Sequence, residues 1–270
     1  MTPSSRAWRG RLNSLRGHGS DRRVSRFGRL LKEWRAFRGL SQLELALAAD
    51  TSQRHLSFIE SGRAQPSEAL VTLLSEVLGQ GLRDRNALLV AAGYAPRFGE
   101  NGWNSDALAG LRHAARLMLE RHEPAPAFVL DAASNVLDAN QAALALLGSS
   151  RAQRGHLNLV ELVFEQGPVR DALVNWEQVA GYLLARLRDA AMYRGPTSNV
   201  QPFYERAMKA AAASNLTLTA PTSAGPLLPI SFRVGGEVRH WYSTVTTFGA
   251  PQDALLEEIA IELFHPYQPG

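Results

Sequence analysis

The stretch SQLELALAADTSQRHLSFIESG, residues 41–62, decides the reading of this 270-residue chain. It divides into two short helices about a tight turn. Ser41 is placed to cap a helix that opens at Gln42, and Glu44, three residues on, completes a capping box. Leu43, Ala46 and Leu47 recur at i, i+3 and i+4, which predicts that they form the buried stripe of that helix. Asp50 and Thr51 interrupt it, and Asp is one of the few residues that tolerates the left-handed backbone of a sharp turn. Ser52 caps a second helix with Leu56 and Ile59 inward. Gly62 ends it, as expected just past a helix C-terminus.

The side chains left outward on the second helix are Gln53, Arg54, Ser57 and Phe58. Arg bonds a guanine edge bidentately, Gln an adenine edge, and an apolar ring meets a thymine methyl, so these four are the candidates for reading base edges in a major groove. His55 is expected to turn toward the protein or the backbone. Gln42 offers its backbone amide at a helix N-terminus, where anions are attracted, and with Ser61 and Arg63 it is expected to fix the frame on phosphates.

Segment 26–79 resembles an XRE-type helix-turn-helix, similar to phage repressors, with Gln42, Ala46 and Gln53 at the pattern positions. Arg35 and Glu60 fall where that family places a buried ion pair. The chain departs from the pattern at Asp50, where the family usually has Gly, and at Phe58, where it often has a polar base reader.

Around this pair, Phe27, Leu30, Leu31, Trp34 and Phe37 or Arg38 keep helical spacing. Pro66 and Ser67 open a fourth helix with Leu70, Leu73, Leu74 and Leu78, and a fifth runs from about Leu82 to Ala92. Five helices on one leucine-rich core make a complete all-α domain over 25–97. Charge follows the same division. Residues 1–97 hold 16 Lys and Arg against 8 Asp and Glu, and the remainder holds 13 against 17. A basic first third attracts the phosphate backbone, so double-stranded DNA is the expected partner of that part alone. Residues 1–24 are arginine-rich and read either as a solvated tail or as an arm that reaches DNA.

Gly, Pro and Asn crowd 93–104, which places a linker at 98–107. Beyond it, 108–270 mixes periods. Leu108, Leu111, Ala115, Leu117, Met118 and Leu119 suit a helix that connects or dimerises, and FVLDAASNVLDAN (128–140) reads as a hairpin. Residues 168–193 read as the longest helix, with Val174, Val179, Leu183, Leu184 and Leu187 inward, and another helix is expected at 201–213. After the proline-rich stretch 219–229, Gly235 and Gly236 form a two-residue turn between β-rich runs. The expected class is α+β, with an antiparallel sheet and flanking helices in the second part.

Three separated segments, SQRHLSFIESGRAQPS (52–67), RDRNALLVAAGYAP (83–96) and TFGAPQDALLEEIAIELFHP (247–266), together resemble the MmyB-like regulators. In that family the helix-turn-helix precedes a PAS-like domain. The resemblance implies a small apolar ligand of the long-chain fatty acid class, with no other cofactor required. Candidate lining residues are Phe128, Leu130, Asn140, Leu147, Leu162, Asn175, Trp176, Leu183, Phe232, Arg233, His240, Trp241 and Phe248. Arg233, His240 or backbone amides are the candidate anchors for a carboxylate.

Catalysis finds little support. The seven histidines show no metal spacing, no glycine-rich phosphate loop follows a strand, and Glu257, Glu258 and Glu262 fall on one expected helix, where a solvated face outweighs an acid-base pair. Cysteine is absent, so neither disulfides nor thiolate metal sites are available. No secretory signal and no apolar run of about 20 residues is seen, which leads to the expectation of a cytoplasmic protein without membrane contact. The expected role is a sequence-specific transcription regulator acting as a homodimer. Its rivals are an adaptor or antitoxin using the helical domain as a protein-binding module, and a reader fused to an acyl-handling enzyme.

Overall fold

The computed structural model of the chain describes residues 25–148, 157–196, 198–216 and 228–268. The arginine-rich arm at 1–24 and most of the proline-rich stretch 219–229 lie outside the described residues.

Five helices build the first part: α1 (Arg26–Phe37), α2 (Gln42–Ala48), α3 (Gln53–Glu60), α4 (Glu68–Val77) and α5 (Leu82–Ala91). Ser25, Ser41, Ser52 and Ser67 cap the first four, each hydroxyl accepting from a backbone N–H three residues on. Each such cap contributes about 1 kcal/mol. Ser41 and Glu44 form the reciprocal capping box. Asp50 takes the left-handed turn, with φ 46°. Trp34, Leu31, Leu45, Leu56, Ile59 and Leu74 are fully buried and make the core.

One expectation on α2 fails. Leu43 and Leu47 are 50% and 71% exposed, while Leu45, Ala46 and Ala49 face inward. The sequence QLELALA offers apolar residues on nearly every side, so period alone cannot choose the face. The helix turns its leucine 45 and two alanines toward its neighbours, which lets α2 lie close against α3.

The second part is a five-stranded antiparallel sheet in the order β2-β1-β5-β4-β3. Its strands are β1 (Ala127–Leu130), β2 (Val136–Ala139), β3 (Ile230–Val234), β4 (Glu237–Thr247) and β5 (Ala260–Pro266). Both hairpins fall where the sequence places them, and Gly235 and Gly236 turn the second with φ 59° and 89°. The last strand, β5, enters between β1 and β4, so the sheet closes only when the C-terminal segment arrives.

Helix α6 (Ala109–Arg121) covers one face through Ala115 and Leu119 against Val129 and Ile261. The other face carries α7 (Gln141–Leu146), α8 (Leu159–Phe164), α9 (Pro168–Ala172), α10 (Trp176–Arg194) and α11 (Gln201–Ala213). These enclose the larger core, with Phe128, Leu144, Leu184, Phe232 and Phe264 at its centre. A short α12 (Ala254–Glu258) leads into β5.

Two expectations are corrected here. The helix expected at 168–193 is broken between α9 and α10, because Leu173 bridges to Phe232 and the Val174 N–H donates to the Ser231 carbonyl. Val174 is consequently 49% exposed rather than inward. Glu257 and Glu258 lie on α12 but Glu262 lies on β5, and Glu258 and Glu262 are buried, at 7% and 5% exposure, instead of forming a solvated face.

The segment near 98–107 is held from both sides. The Asn86 side chain binds the backbone of Arg97 and Phe98, while Gly99 pairs with the 252–254 backbone and Asn101 donates to Asp253. It works as a strap rather than a free tether.

Candidate nucleic-acid interface and ligand pocket

Helix α3 is presented on the surface by packing on α1 and α2. Gly28 of α1 touches its end so closely that a Cβ there would stand 2.3 Å from the Glu60 carbonyl oxygen. Glu60, 5% exposed, accepts from Arg35 at 2.7 and 3.1 Å and from the Gln42 amide at 2.7 Å. Glu60 therefore ties α1, α2 and α3 at one point, and it holds the Arg35 guanidinium above its ordinary pKa.

On the outer side Gln53 and Arg54 are exposed, and His55, Ser57 and Phe58 are half-buried. Phe58 does not project alone. The guanidinium carbons of Arg54 and Arg63 stand 5.4 and 4.6 Å from its ring centroid, two cation–π contacts that group the three side chains. Ser61 bonds the Phe58 carbonyl and accepts from Arg63 Nε at 2.9 Å. The Gln42 side chain is committed to Glu60, which leaves its backbone N–H at the start of α2.

The second part contains an apolar cavity of about 70 Å³ between the sheet and α10. Its wall includes Phe128, Leu130, Leu147, Leu162, Leu183, Phe232 and Phe264. The polar groups are few: Ser134, Tyr182, Arg186 and Glu262. Arg186 Nη1 meets Glu262 Oε2 at 3.0 Å, with the Arg side chain 32% and the Glu side chain 6% exposed. Burial opposes the Arg186 charge, but Glu262 and Tyr182 outweigh it and hold the guanidinium above its usual value. Tyr182 is 37% exposed, so the polar end is also the end that opens to solvent. The arrangement suits a molecule with an apolar body and one polar end.

Two family profiles match the chain. That of the MmyB-like transcription regulator ligand-binding domain covers residues 111–270, and that of a helix-turn-helix covers 31–84. The chain belongs to the MmyB-like transcription regulators. It is a DNA-binding regulator with a ligand-binding domain. No curated protein matches the chain. A solved structure described as an RNA-binding Light-Oxygen-Voltage receptor aligns over 98% of this chain and 64% of its own, at 14% identity and a TM-score of 0.26. This chain thus spans less than two thirds of that protein.

In this MmyB-like regulator six of the residues expected at the pocket do line it: Phe128, Leu130, Leu147, Leu162, Leu183 and Phe232. The others serve elsewhere. Asn140 caps α7 and bonds the Ala125 and Leu119 carbonyls. Asn175 clips the break before α10 to Ser231 and Pro229. Trp176 donates to the Val163 carbonyl beneath the Arg170 guanidinium, and Trp241 packs edge-on against Phe232. Phe248 packs with α6 on the opposite sheet face. The expected carboxylate anchors are displaced too, since Arg233 is exposed away from the cavity and His240 is bonded to Ser231 Oγ at 2.7 Å.

The sequence did not mark the polar lining residues Ser134, Tyr182, Arg186 and Glu262, of which Arg186 and Glu262 are charged. A usable signal was present, because Arg186 lies three residues after the inward Leu183 and so on nearly the same helix face. Among the described residues no group of three or more His, Asp or Glu could hold a metal ion, and no helix is long and apolar enough to cross a membrane.

Proposed function

We propose that this regulator reads operator DNA as a homodimer and answers to a long-chain fatty acid held in the cavity under α10. The observation that carries the ligand class is the lining: apolar side chains along the cavity and, among the described residues, one lining cation, Arg186, at its solvent end. An amphiphile with a long chain and an acidic head matches that distribution.

On the DNA side, α3 enters the major groove with Gln53, Arg54, Ser57 and Phe58 toward base edges. Gln42, Ser61 and Arg63 set the frame on phosphates. The exposure of Gln53 and Arg54 at the start of α3 supports this assignment. A two-fold dimer would address half-sites about 34 Å apart, and the second domain is the natural place for its contact. Ligand binding then matters only by favouring one placement of the two readers over another.

Native mass spectrometry of the full chain, together with a gel shift on its own upstream DNA at low salt, tests the reading. A dimer carrying a long-chain acyl mass and a retarded DNA band are expected. A monomer that neither retains nor takes up fatty acid would overturn the ligand and dimer assignments. An unshifted band would favour a protein-binding adaptor instead.

A further inference from the structure

Two ion pairs tie α10 to the C-terminal segment, one to β5 and one to α12. Arg186–Glu262 lies in the pocket, and Arg194–Glu258, at 3.1 Å, lies where the second domain meets the reader. The arginines both belong to α10, eight residues or about 12 Å apart. The glutamates bracket the junction of α12 and β5.

The outer pair sits in a seam built from the end of α10. Arg38, at the end of α1, donates to the Met192 and Tyr193 carbonyls at 2.6 and 2.8 Å, and also to those of Leu78 and Gly79. Gly195 rests on the Trp34 ring, where a Cβ would stand 2.2 Å from it. Glu258 also accepts from Arg83, and Glu257 from the Leu82 N–H at 2.8 Å. Within this seam Gln80 is 1% exposed with neither side-chain polar atom bonded. An orphaned buried amide is a cost that a shifted arrangement can relieve.

We propose that Arg186 is the anchor for the ligand's acidic head, and that its capture from Glu262 drives β5 from α10 and so loosens the seam that fixes the DNA reader. This rests on the proposed acyl occupant. Arg186 is the more exposed partner, its side chain 32% exposed against 6% for Glu262, so an entering group reaches the cation first. Two carboxylates on one guanidinium then repel each other. The cavity, about 70 Å³, is also smaller than the roughly 300–1,000 Å³ usual for small-molecule sites, so a long chain must part its walls. Helix α10 carries that displacement to its last turn as a rigid rod.

Binding of decanoate, decanol and decylamine to the full chain, measured by calorimetry with amide hydrogen exchange, tests this. Wild type should prefer decanoate to decanol by about tenfold or more. Arg186→Met/Glu262→Leu, which removes both charges and keeps the bulk, should bind the two alike. Glu262→Gln should tighten decanoate. Saturating decanoate should speed exchange at Leu82 and at 192–195 in wild type but not in the double variant. Equal affinity for decanoate and decanol, a preference for decylamine, or an unchanged seam under bound decanoate would each overturn the proposal while leaving an apolar ligand in place. Failure of wild type to bind any of the three would instead remove the acyl occupant, and this proposal with it.

Discussion

Glu60 ties the reader's first three helices together, because one buried carboxylate serves Arg35 and Gln42 at once. Glu60→Ala leaves the Arg35 guanidinium, 13% exposed, without its partner. A cost of about 3–5 kcal/mol is expected. Arg35→Met/Glu60→Met removes both charges and should come within about 2 kcal/mol of wild type. Thermal unfolding of the two variants checks this, and equal losses would show that the pair acts only through packing. On the outer face, Arg54→Ala should cost about 1–3 kcal/mol and relax preference at one base pair, whereas Arg63→Ala should weaken all sequences alike and lower the salt slope by about 1. Titrations on operator and scrambled DNA at several salt concentrations separate them. Both guanidiniums also contact the Phe58 ring, so either loss removes one cation–π contact.

Between elements, α1 lies against the end of α3 at Gly28 with no room for a side chain. A methyl there meets the backbone oxygens of Glu60 and Ile59 at 2.3 and 2.8 Å, and backbone cannot turn aside as a side chain can. Gly28→Ala should therefore part the helices, cost at least about 1–3 kcal/mol and abolish DNA binding, with the pocket domain intact. Circular dichroism melts and a gel shift would show it, and a variant with full DNA affinity would refute the close packing. Gly28 was not singled out from the sequence, because helical period marks which face is inward but not how near the neighbour comes. The same limit explains α2, where QLELALA has apolar residues on several faces. It also explains 168–193, where helical spacing runs on through Leu173 to Asn175 although β3 draws those residues into extended pairing. Local signals were sufficient where the structure is local: the serine caps, the Asp50 turn and the Gly-Gly hairpin. Glu262 could not be placed from its neighbours in sequence, since its strand is defined by β1 and β4, more than 130 and about 20 residues away.

The whole molecule is joined through a charged seam, and its least comfortable member is Asp84. Burial pushes this carboxyl from 3.8 up to about 7, opposed by Arg194 and Arg83 and reinforced by Glu258 and Glu257. A carboxyl with a raised pKa in the fold makes the native state the tighter proton binder. Its effect on stability therefore runs opposite to that of an ordinary salt-bridged Asp. The contribution is most favourable below 3.8, declines as pH rises toward about 7, and is constant above that. Asp84→Asn replaces the carboxyl by a neutral group of the same shape. At pH 8 it should stabilise the chain by on the order of 2 kcal/mol, a figure discounted for residual exposure. That corresponds to roughly 4–8 °C in melting temperature. Near pH 4 the gain should vanish, because wild type is then protonated as well. Melting curves of both proteins from pH 4 to 8 decide the matter. A difference independent of pH would mean that Asp84 ionises in the ordinary range, and that Arg194 and Arg83 compensate its burial in full.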